Sequence, residues 1–172
     1  MISNTMTEAL NDQINKELFS SYLYLSMSSY AAHIGLPGVA NWFYVQAQEE
    51  LSHVQKFYHY VNERGGRVVL DAIEKPEFEW DSVLDVFEAT YEHEQKVTSL
   101  INGLVEVARI ENDNATYNFL QWFVSEQVEE EASADAMVQK MKLIGDFGPG
   151  IFMLDQEAMQ RVFVPPAASE GA

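Results

Sequence analysis

Apolar residues recur at alternating steps of three and four along four long stretches of this chain. That spacing admits little besides long amphipathic helices. The stretches run from about Thr5 to His33, Gly38 to Glu63, Asp81 to Ile110 and Asn114 to Ile144. Thr5 and Glu8 have the spacing of a capping box and predict the first N-terminus, while Gly35-Leu36-Pro37-Gly38 ends that helix. Gly65-Gly66 stops the second helix, Asp81 or Ser82 caps the third, and Gly145 closes the fourth. A shorter amphipathic segment, Ile151 to Phe163, follows Gly148-Pro149-Gly150 and carries an apolar edge of Ile151, Leu154, Ala158 and Val162. The expected domain covers residues 1–164, with residues 165–172 as a disordered tail.

The connections constrain how these helices meet. Helices one and two are joined by about four residues, as are three and four, and short links make antiparallel neighbours. Eighteen residues, Gly65 to Ser82, separate helices two and three. Fully extended they span roughly 59 Å, more than the roughly 42 Å of a helix of about 28 residues. The link therefore runs the length of the bundle, and helix three starts beside the start of helix two. The fold class is all-α: a four-helix bundle of two hairpins with a long crossover and a short fifth C-terminal helix.

Each buried stripe is interrupted near its middle by acids or by polar residues beside an acid. Helix one reads Leu10, Ile14, Glu17, Ser21, Tyr24, Ser28, with Leu18 and Leu25 beside it. Helix two reads Phe43, Gln46, Glu50, His53, Phe57, Tyr60. Helix three reads Phe87, Thr90, Glu94, Val97, Ile101, Leu104, Ala108, and helix four reads Leu120, Phe123, Gln127, Glu130, Ala134, Met137, Met141. One Glu-x-x-His pair is common by chance, but four interruptions at one depth are not. Unpaired buried carboxylates cost several kcal/mol each, and Lys16 and Lys96 fall on other faces. Metal cations are the simplest neutralisers. Four carboxylates and one imidazole make a hard, oxygen-rich donor set that suits iron(II) or manganese. Two divalent ions balance four carboxylates, so a two-metal centre is expected.

The formal net charge of −17 argues against nucleic acid or an anionic membrane as partner and suits the gathering of cations. No cysteine is present, which removes thiolate and disulfide chemistry. No stretch approaches the roughly 18 uninterrupted apolar residues of a membrane span, and the N-terminus lacks the pattern of a signal peptide. A cytoplasmic protein is the expectation.

The Glu-x-x-His of helix two, with one Glu from helix one and one from helix three, resembles the ferritin-like di-iron carboxylate bundles, and within them the bacterial non-haem ferritins. The likeness covers nearly the whole chain. It implies that Glu17, Glu50 and His53 hold a first iron, and that Glu50 bridges to a second held also by Glu94 and Glu130. It places Gln127 on the oxygen-binding side and Tyr24 at the edge of the centre, with Tyr24 and Trp122 as electron donors. It implies a third iron site of Glu49, Glu126 and Glu129, which spacing alone reads equally well as a solvated surface. It further implies a shell of 24 subunits whose four-fold contacts the fifth helix lines, although that helix could equally pack on its own bundle. Haem is not expected. Gln127-Val128-Glu129-Glu130 stands where bacterioferritins repeat Glu-x-x-His, and Leu51 stands where they carry a haem-ligating Met. Tyr117 and Leu120 take the register places of the acids that line the three-fold pore of animal ferritins. The expected function is an iron store with ferroxidase activity, using O2 or H2O2. The alternatives are a di-iron oxidase of an organic substrate and a non-catalytic acidic helical interaction protein.

Overall fold

The first helix begins at Ser3, not at the Thr5–Glu8 pair. In the computed structural model, which describes residues 1–165, the Ser3 hydroxyl accepts from the Met6 amide at 3.0 Å. Thr5 and Glu8 already lie inside α1 (Asn4–His33). One side-chain acceptor at the N-cap satisfies an amide that the helix leaves free, and Ser3 stands where no helical residue precedes it. The chain leaves α1 through Gly35 at φ +84°, a conformation that strains any residue with a Cβ. It enters α2 (Pro37–Glu63) with Pro37 in the first turn, where its missing N–H costs nothing. Ser82 caps α3 (Val83–Ile110) by accepting from the Asp85 amide, and Asp113 caps α4 (Asn114–Ile144) by accepting from the Thr116 amide.

The crossover follows the predicted course. Asn11 donates to the Arg67 carbonyl, Asn15 to Ala72, Ser26 to Glu77 and Tyr30 to Trp80. Successive turns of α1 thus hold successive residues of the link. It climbs beside α1 and delivers α3 to the end of the bundle where α2 starts.

The fifth helix, α5 (Gly148–Ala158), starts three residues earlier and ends five residues earlier than the expected segment Ile151 to Phe163. Pro149 fits the first turn and moves the start forward. At the other end the Asn41 side-chain amide donates to the carbonyls of Ala158, Met159 and Arg161, satisfying groups that another helical turn would need. Leu154 and Ala158 are buried in the chain's own bundle, whereas Phe152, Met153 and Val162 are exposed. The expected tail falls mostly on residues 166–172, outside the described residues; Pro165 is described and exposed.

α5 docks on the start of α2 through a backbone contact. Asp155 accepts from the Val39 amide at 2.9 Å, and a Cβ on Gly38 would stand 1.7 Å from the Asp155 carbonyl oxygen. Only a missing side chain allows that approach. Gly38→Ala should destabilise the protein by about 2 kcal/mol through overpacking against backbone, read as a lower thermal midpoint by circular dichroism.

The bundle interior divides into two apolar clusters. One gathers Met27, Trp42, Phe43, Phe87 and Met141, and the other Leu10, Ile14, Phe57, Ile101, Leu120 and Phe123. The stripes predicted for α2, α3 and α4 are buried except Tyr60, which is half-buried. On α1 the edge differs: Leu25 is exposed, Leu18 and Ser28 are half-buried, and Leu23 and Met27 are buried instead. No helix among the described residues is long and apolar enough to cross a membrane.

Candidate metal centre

Between the two apolar clusters lies a polar layer to which all four long helices contribute. α1 supplies Gln13, Glu17 and Tyr24; α2 supplies Gln46, Glu50 and His53; α3 supplies Glu94; α4 supplies Gln127 and Glu130. All are buried, and Glu17, Glu50 and Glu94 are each 1% exposed. No Lys or Arg among the described residues is buried with them. The helical period brings these groups together, because Glu50 and His53 at i and i+3 share one face, as do Gln127 and Glu130.

One half of the layer is ready to hold a cation. Glu17, Glu50 and His53 each place a ligand atom within 4.8 Å of the others. The His53 Nδ1 lies 3.3 Å from Glu50 Oε2 and 3.7 Å from Glu17 Oε2. Gln13, four residues before Glu17 on the same face, donates to Glu17 Oε1 at 2.7 Å. Glu17 Oε2 has no hydrogen-bond partner although it is buried. An orphaned carboxylate oxygen facing a second carboxylate and an imidazole is a vacancy in hydrogen bonding that a divalent ion fits.

In the other half the acids are held by neutral donors. The Tyr24 hydroxyl donates to Glu94 Oε1, the Gln127 amide donates to Glu94 Oε2 at 3.0 Å, and the Gln46 amide donates to Glu130 Oε2 at 2.6 Å. Amides fix the orientation of a carboxylate without neutralising it, the arrangement expected around ligands that must meet a cation. Gln127 therefore reaches the centre through Glu94.

Protons show the same electrostatic tension. Burial raises the Glu50 carboxyl well above the usual carboxylate range, and the charges of Glu94 and Glu17 add to it despite the His53 contacts. Burial likewise raises Glu94 to about 7, with the Glu130 charge adding and the Tyr24 and Gln127 hydrogen bonds opposing. Burial also opposes ionisation of Glu17, but the neighbouring His53 imidazole outweighs it, so Glu17 falls below its usual value. Burial disfavours His53 as a cation, yet the carboxylates of Glu17 and Glu50 against its ring win and raise it well above 6.5. Burial and the Glu94 charge keep the Tyr24 phenol protonated. Without metal, the centre holds its acids by retaining protons on His53 and on carboxyls.

The remaining predicted residues sit at one side. Glu49, Glu126 and Glu129 line an open cleft of about 460 Å³ that reaches His53, Trp122 and Glu130. They do not converge: among the described residues only Glu17, Glu50 and His53 form a trio that close. Glu49 is instead paired with Arg161 at 2.5 Å. Burial raises Glu49 to about 7, the Glu130 and Glu126 charges contributing and Arg161 opposing. The Trp122 ring packs 5.5 Å from His53, under the Lys56 ammonium at 4.0 Å. Leu51 is exposed, whereas Leu120 is fully buried in the core, so that register position does not line a channel.

Gln13 and Arg161 escape the sequence reading. Gln13 was visible as the i−4 neighbour of Glu17. Arg161 was not, because it meets Glu49 across 112 residues from beyond the last helix.

Residues 7–144 match the family described as the ferritin-like domain. A bacterial non-heme ferritin of Campylobacter jejuni is 47% identical over 91% of this chain and 93% of its own length. One of Bacteroides fragilis is 45% identical over 94% of this chain and its full length. Among solved structures, an open-pore ferritin of the archaeon Archaeoglobus fulgidus superposes with a TM-score of 0.93 at 57% identity, over 94% of this chain and 99% of its own. A closed form of the ferritin from the same organism, engineered by site-directed mutagenesis, reaches 0.95 at 57% identity, over 95% of this chain and 100% of its own.

Proposed function

We propose, for a chain that belongs to the ferritin family and stores iron, that the buried layer is a ferroxidase centre feeding a mineral inside a cytoplasmic shell of 24 copies. The observation that carries this reading is the partnerless Glu17 Oε2 beside Glu50 and His53. Iron is the substrate and the cargo. Glu17, Glu50 and His53 bind one Fe(II), Glu94 and Glu130 bind a second, and Glu50 is shared between them. Two Fe(II) each give up one electron. Dioxygen takes both electrons with two protons from solvent and leaves as hydrogen peroxide; peroxide as oxidant takes two electrons and two protons and leaves as two waters. The anionic side chains favour the product because Fe(III) carries more charge than Fe(II).

This chain's residues also move protons. A ligand must be deprotonated to bind, so His53 and Glu50 release theirs as iron enters. Gln13, Gln46 and Gln127 hold the carboxylates in place throughout. The cleft leading to the centre is lined by acids, which suits hydrated cations and speaks against an apolar organic substrate. Phe147, Phe152 and Met153, exposed on and before α5, supply apolar surface for contacts between copies.

The test is iron loading of the assembled, metal-free protein under air. A store retains far more iron than a few atoms per subunit, and anaerobic Fe(II) addition releases protons into weak buffer before any oxidant is admitted. Retention of only two or three irons per subunit would leave an oxidase without storage.

A further inference from the structure

The cleft beside the buried centre already contains a cation, and it belongs to the protein. Arg161 donates from its guanidinium to Glu49 Oε2 at 2.5 Å and to the Trp42 carbonyl at 3.4 Å. Its charged plane lies 4.3 Å from the Trp42 ring centroid, a contact that favours a cation there. The backbone is fixed as well, since Asn41 donates to the Arg161 carbonyl at 2.9 Å. The side chains of Arg161 and Glu49 are only 21% and 23% exposed. A planar donor so constrained loses little freedom in holding a carboxylate. Glu126, Glu129 and Glu130 line the same cleft with no arginine or lysine bonded to them among the described residues.

We infer that Arg161 is a positioning residue that keeps Glu49 engaged, so that a third iron loads the cleft only by displacing the guanidinium. This rests on reading Glu49, Glu126 and Glu129 as the third iron site that the resemblance to bacterial non-haem ferritins implies. A tethered cation at Glu49 both repels an incoming divalent ion and removes one of its ligands. The third iron therefore binds more weakly than the first two and after them. Displacement has somewhere to go: Arg161 also lines a neighbouring cleft of about 390 Å³, where the exposed Glu157 carboxylate, paired through Oε1 with Lys140 at 2.5 Å, keeps its second oxygen for another donor. Because Arg161 lies in the segment following α5, loading of the third site shifts that segment.

The experiment is an anaerobic Fe(II) titration of the assembled protein, repeated with redox-inert Zn2+, comparing the parent with Arg161→Gln and Arg161→Lys. Two tight equivalents per subunit and a weaker third are expected for the parent. Arg161→Gln should tighten the third on the order of tenfold, the scale of one removed contact charge, and leave the first two unchanged. Arg161→Lys should restore the parent's weak third equivalent. A merely structural arginine would instead lower the melting temperature in both variants without tightening any equivalent, and that result overturns the inference. Glu49→Gln separates the two readings. Loss of the third equivalent in that variant, with no change in Arg161→Gln, retains the third site and discards the role of Arg161. No third equivalent in parent or Arg161→Gln, with no anomalous peak at Glu49 in Zn2+-soaked crystals, discards both.

Discussion

Glu50→Gln should slow the oxidation of the first Fe(II) equivalents at least about a hundredfold and leave the metal-free protein nearly as stable as the parent. The rate effect follows from position. Glu50 is the carboxylate whose ligand atoms lie with those of Glu17 and His53, and it feels the charge of Glu94. It is the group best placed to serve both ions. Altering groups that merely orient a ligand costs roughly 10–100-fold in metal affinity or activity, so neutralising a shared ligand costs at least the upper end. The stability effect follows from protonation. Burial and neighbouring acids raise Glu50 well above the usual carboxylate range and so favour its protonated form in the metal-free site, and glutamine is close to a protonated glutamate in shape and charge. A change within about 1 kcal/mol is expected, the scale of one altered hydrogen bond. Stopped-flow oxidation and thermal melting of the same preparation check both halves. Oxidation at the parental rate would remove Glu50 from the centre. Glu94 offers no equally clean probe, because a leucine there would strand the Tyr24 hydroxyl and the Gln127 amide, both of which donate to it.

The difference between those two positions marks what a linear sequence can convey. Stripes on α2, α3 and α4 were legible because one face of each helix is buried over its whole length, so spacing and burial coincide from Phe43 to Phe57, Phe87 to Ala108 and Leu120 to Met141. On α1 they drift apart. The flank inferred beside that stripe, Leu18 and Leu25, is half-buried and exposed, while Leu23 and Met27 on the opposite flank point in, and spacing does not say which flank a neighbouring helix covers. The polar layer was legible for the same reason as the stripes, since acids at one depth in four registers must meet. Its internal bonding was not. Which oxygen Gln46 or Gln127 addresses depends on side-chain rotamers of partners 84 or 33 positions away on another helix, and periodicity does not encode those. Arg161 lies further still from any pattern, held by Asn41 and Trp42 at the start of α2.

The metal-free protein should lose stability as pH rises from about 5 to 8, and metal should abolish or reverse that trend. Glu94 titrates near 7 when folded and near 4.5 when unfolded. Between those values the folded state holds a proton that the unfolded state has released, so the unfolding free energy falls as pH rises. The contribution is complete below about 4.5, fades through 7 and is absent above. At 1.36 kcal/mol per unit, Glu94 alone accounts for up to roughly 3 kcal/mol. Glu50 and His53, both raised, act in the same direction. Glu49 does too, by less, because about a quarter of its side chain meets solvent. Glu17 is lowered and opposes them only as pH falls through its own reduced value, which sets the acid limit of the window. General repulsion among surface acids also weakens the fold at high pH, and Glu94→Gln separates the two effects because it removes Glu94's share of the slope and leaves the surface repulsion in place. Zn2+ changes the sign. Bound ligands are ionised, so protons compete with metal and binding strengthens as pH rises. Melting curves at pH 5.5 and 7.5, with and without Zn2+, on protein shown by sedimentation to keep the same assembly, are the measurement. A flat or rising midpoint without metal, unaffected by Glu94→Gln, would mean that these carboxylates are solvated and that nothing in the layer needs a cation.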